Sequence, residues 1–165
     1  MKDKPKRAKD DTAERAAELV RRCRVAALGT LRGGAPAVSM VPYALLAEPF
    51  AFVVLVSTLS AHTREMLADA NIGLMVMEPE TGAQMPHALA RVSMRGRAAP
   101  VARNDPRHDA ARAAYSARFP DMTGLFELGD FSLFAIVPAE VRVITGFAQA
   151  ATISARTLAE ILSDG

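Results

Sequence analysis

Tryptophan is absent from the 165 residues, cysteine occurs once and histidine three times. Each scarcity closes a class of function. A lone Cys23 excludes an internal disulfide and a cysteine-rich metal site. His62, His87 and His108 fall in three separate segments with no HxH, HExxH or CxxC spacing, so no metal site is expected. The net charge is only +2, too small to announce a nucleic-acid or membrane partner. No apolar run approaches the ~20 residues of a membrane-spanning helix. The N-terminus also lacks the apolar segment of a signal peptide, which makes the cytoplasm the expected compartment. Neither G-x-G-x-x-G nor G-x-x-x-x-G-K-[ST] is present, and no serine stands in G-x-S-x-G. A Rossmann site, a P-loop and a hydrolase elbow are therefore not indicated.

What is present is enough for one core. Half of the residues are apolar and 23% are charged, a globular rather than a disordered balance. Aromatics make up only 5%, so packing must rest on Ala, Val, Leu and eight Met. Residues 1–11, MKDKPKRAKDD, offer nothing apolar to bury after Met1 and read as a disordered, solvated basic tail. A basic arm that touches nucleic acid is the sharper alternative, and the interleaved aspartates weigh against it. Residues 12–165 read as a single domain.

The pattern of elements is mainly β. Asp11-Thr12 can cap a helix through ERAAELVRRC, whose Ala16, Leu19, Val20 and Cys23 fall at helical spacing. RVAALGTL and residues 36–46 read as a hairpin about the Gly33-Gly34 turn. Pro42 inside the second strand argues for an edge, a bulge or a backbone that faces a ligand. Phe50–Val56 reads as a strand buried on both faces, followed by a short helix over Thr63–Ala70 and the strand NIGLMVM. Residues 90–99 alternate apolar Val92 and Met94 with polar Arg91, Ser93 and Arg95, and Gly96 is a candidate bulge. A helix follows Asp105-Pro106 and ends at Pro120. FSLFAIVP and EVRVITGF read as two last strands, and residues 154–162 as a terminal helix capped by Ser154. Seven strands with short links predict a largely antiparallel barrel.

One junction carries chemistry. In LVSTLSAHTRE, residues 55–65, an apolar strand passes into hydroxyls, an imidazole and a guanidinium at a helix start. A phosphate wants such donors, and a helix N-terminus adds free backbone N–H groups and the favourable end of the dipole. The same residues also read as a plain helix cap, and the sequence leaves both readings open. Arg91 lies on the polar side of its strand, which is either wet or turned toward a cofactor or a second subunit.

The order RVAALGTL, GGAPAVSMVPY, FAFVVLVSTLSAHTREMLADANIGLMV and ARVSMRGRAAPV resembles the pyridoxamine 5′-phosphate oxidase-like flavoproteins. The later AARAAYSARFPDM and GDFSLFAIVPAEVRVITGFAQA resemble the branch associated with haem utilisation. The resemblance implies an FMN-binding split β-barrel, an antiparallel Greek-key-like barrel with flanking helices in the α+β or mainly β class. It also implies an obligate homodimer with FMN in a cleft between the subunits. On the family pattern His62 and Thr63 stand where the FMN phosphate is held, with Thr58 just before them. Ser39, Met40, Val41, Pro42 and Tyr43 stand along the flavin ring, joined by Val56 and Ser57 from the next strand. Arg91 and Arg24 match positions that reach the flavin or its phosphate. The flavin would carry the redox chemistry of an oxidoreductase acting on a small substrate that the sequence does not name, and no catalytic residue is assigned.

Two departures bear on that reading. Many relatives carry lysine or arginine where His62 stands, and histidine is only partly charged near neutrality. Haem-handling members use a histidine near the C-terminus as iron ligand, and this chain has none after His108. A haem-binding protein on the same fold and a non-catalytic flavin carrier or sensor remain the alternatives. Oxidation of pyridoxamine 5′-phosphate itself is disfavoured, because the C-terminal tryptophan and arginine pattern is missing.

Overall fold

Strand alternation and one fully apolar strand build this fold. The computed structural model of the protein describes residues 4–147 and 149–163, with side chains from Asp11 onward. Helix α1 (Lys4–Arg22) leads into the hairpin β1 (Val25–Arg32) and β2 (Ala35–Pro42). Then come β3 (Ala44–Leu46), β4 (Ala51–Ser57), α2 (Ala61–Ala68) and β5 (Asn71–Met77). A loop with a 3₁₀ turn at Pro86–Ala88 precedes β6 (Arg91–Val101) and α3 (His108–Arg118). A 3₁₀ segment at Pro120–Glu127 leads to β7 (Phe131–Gly146), β8 (Gln149–Ser154) and α4 (Ala155–Ser163).

The eight strands form one antiparallel sheet in the order β2-β1-β5-β6-β7-β4-β3, with β8 pairing the later part of β7 on the edge that β4 takes in its first part. The sheet curls until β2 approaches β4, but the two do not pair, so the barrel stays split. This is the split barrel that the resemblance implied. Among the described residues no helix is long and apolar enough to cross a membrane.

Two apolar clusters flank the sheet. Leu28, Phe52, Val54, Val76, Val92 and Ile136 fill the barrel and meet Ala16, Leu19 and Val20 of α1. Val53, Leu55, Leu133 and Ala135 pack on the other side against Ala111, Tyr115 and Phe119 around α3. Alternate residues of β4 serve the two clusters, which is why AFVVLV carries no polar residue before Ser57.

The structure corrects several boundaries. The strand expected over residues 36–46 breaks at Tyr43. Pro42 ends β2, and Tyr43 turns inward, where its N–H donates to the Arg24 carbonyl (3.2 Å) and its hydroxyl to the Val20 carbonyl (2.7 Å). Tyr43→Phe should therefore cost about 1 kcal/mol, by orphaning a buried carbonyl, and a urea titration would show it. The two last strands expected are one, β7. Pro138 is accommodated there because the β6–β7 register shifts between Arg95 and Gly96. Strand β8 was not expected at all. Helix α2 begins two residues before the expected Thr63. The expected tail over residues 1–11 lies partly outside the described residues, and α1 already begins at Lys4.

Candidate functional site

Ser57 closes β4 and ties a corner. Its hydroxyl donates to the Asp130 carboxylate (2.6 Å), while the Thr58 N–H donates to the Asp130 carbonyl (2.6 Å). The Leu59 N–H donates to the Ser57 hydroxyl oxygen (3.1 Å). Thr63 is buried, and its hydroxyl donates to the Ser57 carbonyl (2.6 Å). One hydroxyl of the junction thus ties β4 to the turn before β7, and another ties α2 to β4. Ser60 takes the cap position of α2 but makes no side-chain cap bond. The first-turn N–H groups of α2 have no partner within the helix. His62 is half-buried, and burial pushes its pKa down against the opposing pull of Glu65. Its imidazole is therefore mainly neutral at pH 7. Arg64 is exposed and donates to the Leu59 carbonyl (2.9 Å).

Strand β2 passes beside this corner. Ser39 faces inward, and its buried hydroxyl has no hydrogen-bond partner among the described residues. Val41 and Val56 are core residues. Met40 points the other way, 63% exposed on the outside of the sheet.

The remaining expected residues gather at the opposite end of the barrel. Arg24 donates to the Arg118 carbonyl (3.2 Å) and lies over the Phe119 ring, 4.8 Å from its centroid. Arg118 in turn donates to the carbonyls of Arg21 and Cys23 and covers the Tyr43 ring. Arg91 donates to the Leu89 carbonyl (3.0 Å), and its cross-strand partner is Met77, the residue of β5 farthest from α2. The eight residues of β1 set these two ends ~25 Å apart. One chain thus brings Ser57, Thr58, His62 and Thr63 into one region, with Ser39 midway along β2 opposite Leu28. It holds Arg24, Pro42, Tyr43 and Arg91 away from them.

A second region lies on the outer face of the sheet. Val38, Gly29, Gly73, Arg95 and Glu140 follow one another as cross-strand partners over β2, β1, β5, β6 and β7. The next row holds Met40, Ala27, Met75 and Ser93. The first of these rows crosses an open groove of about 750 Å³, with Pro36 and Val38 on one wall and Arg95, Arg97 and Glu140 on the other, and Leu31 and Asn71 also line it. Arg95 pairs with Glu140, and Arg97 donates to the Asn71 side chain (3.2 Å). Volume, apolar lining and a few converging charges are the ordinary attributes of a small-molecule site. Among the described residues no group of three or more His, Cys, Asp or Glu side chains could hold a metal ion.

Sequence reasoning missed a buried carboxylate. Glu65 of α2 is 7% exposed. It accepts from the Thr30 hydroxyl (2.5 Å) and from Arg32 Nε (2.6 Å), both on β1. These hydrogen bonds, Thr30 first and then Arg32, hold its pKa below the usual carboxylate range. The available signal was Thr30, a polar residue in phase with Ala26 and Leu28 on the inward side of β1.

Comparison with known proteins agrees with this architecture. The family model described as pyridoxamine 5′-phosphate oxidase matches residues 12–145. The haem oxygenase HutZ of Vibrio cholerae is 29% identical over 130 residues, 78% of this chain and 73% of HutZ. A chloroplastic haem oxygenase of Arabidopsis thaliana, HOZ, is 33% identical over 118 residues, 71% of this chain but only 34% of HOZ. A haem-binding protein from Mycobacterium smegmatis superposes with a TM-score of 0.80 at 28% identity, over 90% of this chain and 60% of that one. The crystal structure of HutZ, described as a haem storage protein, gives a TM-score of 0.72 at 27% identity, over 79% and 93% of the two chains. The chain therefore spans only part of HOZ and of the Mycobacterium protein. With a family model covering most of its length and a split barrel to match, the chain belongs to the pyridoxamine 5′-phosphate oxidase family, close to its haem-utilisation branch.

Proposed function

We propose that this protein binds haem, as a homodimer, on the outer face of its sheet. The observation that carries the reading is the groove of about 750 Å³ with an apolar wall at Pro36 and Val38 and a charged wall at Arg95, Arg97 and Glu140, where Arg95 pairs with Glu140. A tetrapyrrole is a broad apolar ring with two carboxylates at one edge. Arginine is suited to such carboxylates because its planar guanidinium stays charged and donates in a fork. The likeness to HutZ, HOZ and the Mycobacterium haem-binding protein supports the same ligand class.

When bound, haem would supply the iron chemistry. The protein's share is to shield the ring, orient its carboxylates toward β6 and limit access of water. None of the three histidines lines the groove. His62 starts α2, His87 sits in the 3₁₀ turn and His108 starts α3 beside Asp109. The proposal is therefore binding, without assigned degradation of the ring.

What the face leaves uncovered supports the homodimer. Val38 is 77% exposed, and Met40, Val25 and Met77 share its side of the sheet. Such a patch with a charged rim marks an interaction surface. Two identical faces meeting about a two-fold axis would cover it, each roofing the other's groove.

A second reading, an FMN-dependent oxidoreductase, rests on the start of α2. Its first-turn N–H groups, the uncommitted Ser60 side chain and the unpartnered Ser39 hydroxyl are donors that a flavin phosphate could use. Against it, Thr63 already donates to a carbonyl and His62 is held neutral. Arg91 lies at the far end of β6, so it would have to come from a second copy.

Absorption titrations with haemin and with FMN separate the two readings. The haem reading expects a Soret band that saturates near one haem per chain. The variant Arg95→Ala/Arg97→Ala should weaken binding about tenfold or more, with the melting temperature unchanged. A flavin spectrum that His62→Lys strengthens, with no Soret band, would replace it with the FMN reading. Light scattering on the ligand-free protein should give twice the chain mass.

A further inference from the structure

The chain between α3 and β7 is an unusual cover. Its 3₁₀ segment, Pro120–Glu127, runs for eight residues. Such runs seldom pass about four residues, because their hydrogen bonds are poorly aligned. The segment buries a single side chain, Phe126. That ring stands edge-on to Tyr115 of α3 with centroids 6.1 Å apart, and Tyr115 lies against Phe119 at 4.9 Å. A clamp at the surface holds it. The Arg112 guanidinium lies 4.6 Å from the Phe126 ring centroid and donates to the Glu127 carboxylate (3.1 Å), whose side chain is 77% exposed. Exposed ion pairs of this kind contribute little.

Beneath the cover sits an unmet polar group. Tyr115 is fully buried, yet its hydroxyl has no hydrogen-bond partner among the described residues. A hydroxyl closed off in this way forfeits the bond that water would give it, so the cover is held less firmly than its apolar contacts imply. Gly124 and Gly129 bracket Phe126. A Cβ at either would meet nothing within 4 Å, and neither has a positive φ. Every other described glycine has a positive φ or a neighbour within 4 Å. Neither shape nor space requires glycine at these two positions, and what it adds there is backbone freedom. Gly129 also adjoins Asp130, which accepts from the Ser57 hydroxyl and the Thr58 N–H at the β4–α2 corner.

We propose that residues 124–129 are a hinged strap, pivoting at Gly124 and Gly129, that carries Phe126 in and out of its seat against Tyr115 and is latched to the β4–α2 corner through Asp130. The strap opens while the barrel stays folded. Opening gives the Tyr115 hydroxyl to water. The latch ties this motion to the turn that leads into Ser60, His62 and Thr63. The device is independent of the haem reading, and no part of it needs a ligand.

The molecule carries its own reference. Tyr43 and Tyr115 are its two tyrosines, and both are fully buried. Tyr43 lies in the barrel cluster, where its hydroxyl donates to the Val20 carbonyl. Burial pushes the Tyr115 hydroxyl up to about 12 and raises that of Tyr43 as well, so at about pH 8 neither ionises in the closed fold. The full chain is treated with tetranitromethane at that pH, in urea concentrations below the unfolding transition, and initial nitration of each tyrosine is followed by peptide mapping. Tyr115 should react about tenfold or more faster than Tyr43, at a rate nearly flat in urea, as a local opening does. The Tyr43 rate should climb with urea, as global unfolding does. Gly124→Ala with Gly129→Ala should slow Tyr115 about fivefold or more, because each alanine removes freedom from the open chain. Arg112→Ala should speed it about threefold by removing the clamp, and Ser57→Ala should speed it by a similar factor by removing the latch. A Tyr115 rate no faster than that of Tyr43 would overturn the proposal, because the cover would then move only with the whole fold. So would a rate that the glycine pair leaves unchanged, which would place the opening in α3. A rate that Ser57→Ala leaves unchanged would overturn the latch.

Discussion

Gly96→Ala should lose roughly 1–3 kcal/mol of stability, the range for forcing extra atoms into a filled site. The added methyl would sit 2.5 Å from the Val137 carbonyl oxygen and 3.1 Å from the Pro138 Cα. Both are backbone atoms, so no side-chain rotation relieves the clash. The crowding follows from the register. Arg95 pairs with Glu140 and Gly96 with Pro138, which leaves Ala139 as the extra residue on β7. A bulge of this kind bends the strand and raises its twist. Here it lets one 16-residue strand serve both the pairing with β4 and the pairing with β8. A urea midpoint shift at constant slope would confirm the loss. Gly73→Ala is the internal control, since its methyl has nothing nearer than 3.9 Å, and it should unfold no earlier than wild type. The Gly96 variant should also bind haemin less well, because the bulge separates Arg95 from Arg97 on the groove wall. An unchanged midpoint would mean that β6 and β7 yield at the bulge far more easily than a paired sheet does elsewhere.

Local chemistry decided how much could be read ahead. The β1–β2 hairpin was legible because Gly33-Gly34 supply the left-handed turn and the strands alternate cleanly around it. The double burial of β4 was legible because six successive residues are apolar. Strand β7 was divided wrongly because Pro138 lacks a backbone donor, and only the partner strand shows that a bulge absorbs it. Strand β8 was missed because QAATIS is short and mostly exposed, and its pairing with β7 is a tertiary fact. The same limit applied at the sites. The hydroxyls of the β4–α2 junction were visible in sequence, but not that Ser57 and Thr63 are committed to Asp130 and to a carbonyl. The groove was invisible, because Gly29 and Gly73 are 44 positions apart by number and become neighbours only through the β1–β5 register.

Glu65→Ala should lower the melting temperature by several degrees at pH 7, and Glu65→Gln by less. The carboxylate links α2 to β1, with Thr30 donating to one oxygen and Arg32 to the other. Alanine leaves the buried Thr30 hydroxyl without its acceptor and Arg32 without its counter-charge. Glutamine keeps an acceptor for Thr30 and gives up the charge-assisted bond to Arg32. The pH dependence identifies the ionised form as the stabilising one. The Glu65 pKa is below its ordinary 4.5 in the folded protein, through the bonds from Thr30 and Arg32. The unfolded chain therefore binds the proton more readily. Stability from this group is fully present above about pH 4.5 and drains away as the pH falls through the folded value. Asp105, held at about 2 by Arg107, titrates over the same acid range, so the informative quantity is a difference. The gap between wild type and Glu65→Gln should be widest near neutrality and close as the solution is acidified. A gap that stays constant with pH would assign the loss to packing and remove the ion pair from the account of how α2 is held. The link matters for function because α2 presents Ser60, His62 and Thr63 together. Loosening it should free the Thr63 hydroxyl from the Ser57 carbonyl, and with it the corner on which the second, flavin reading depends.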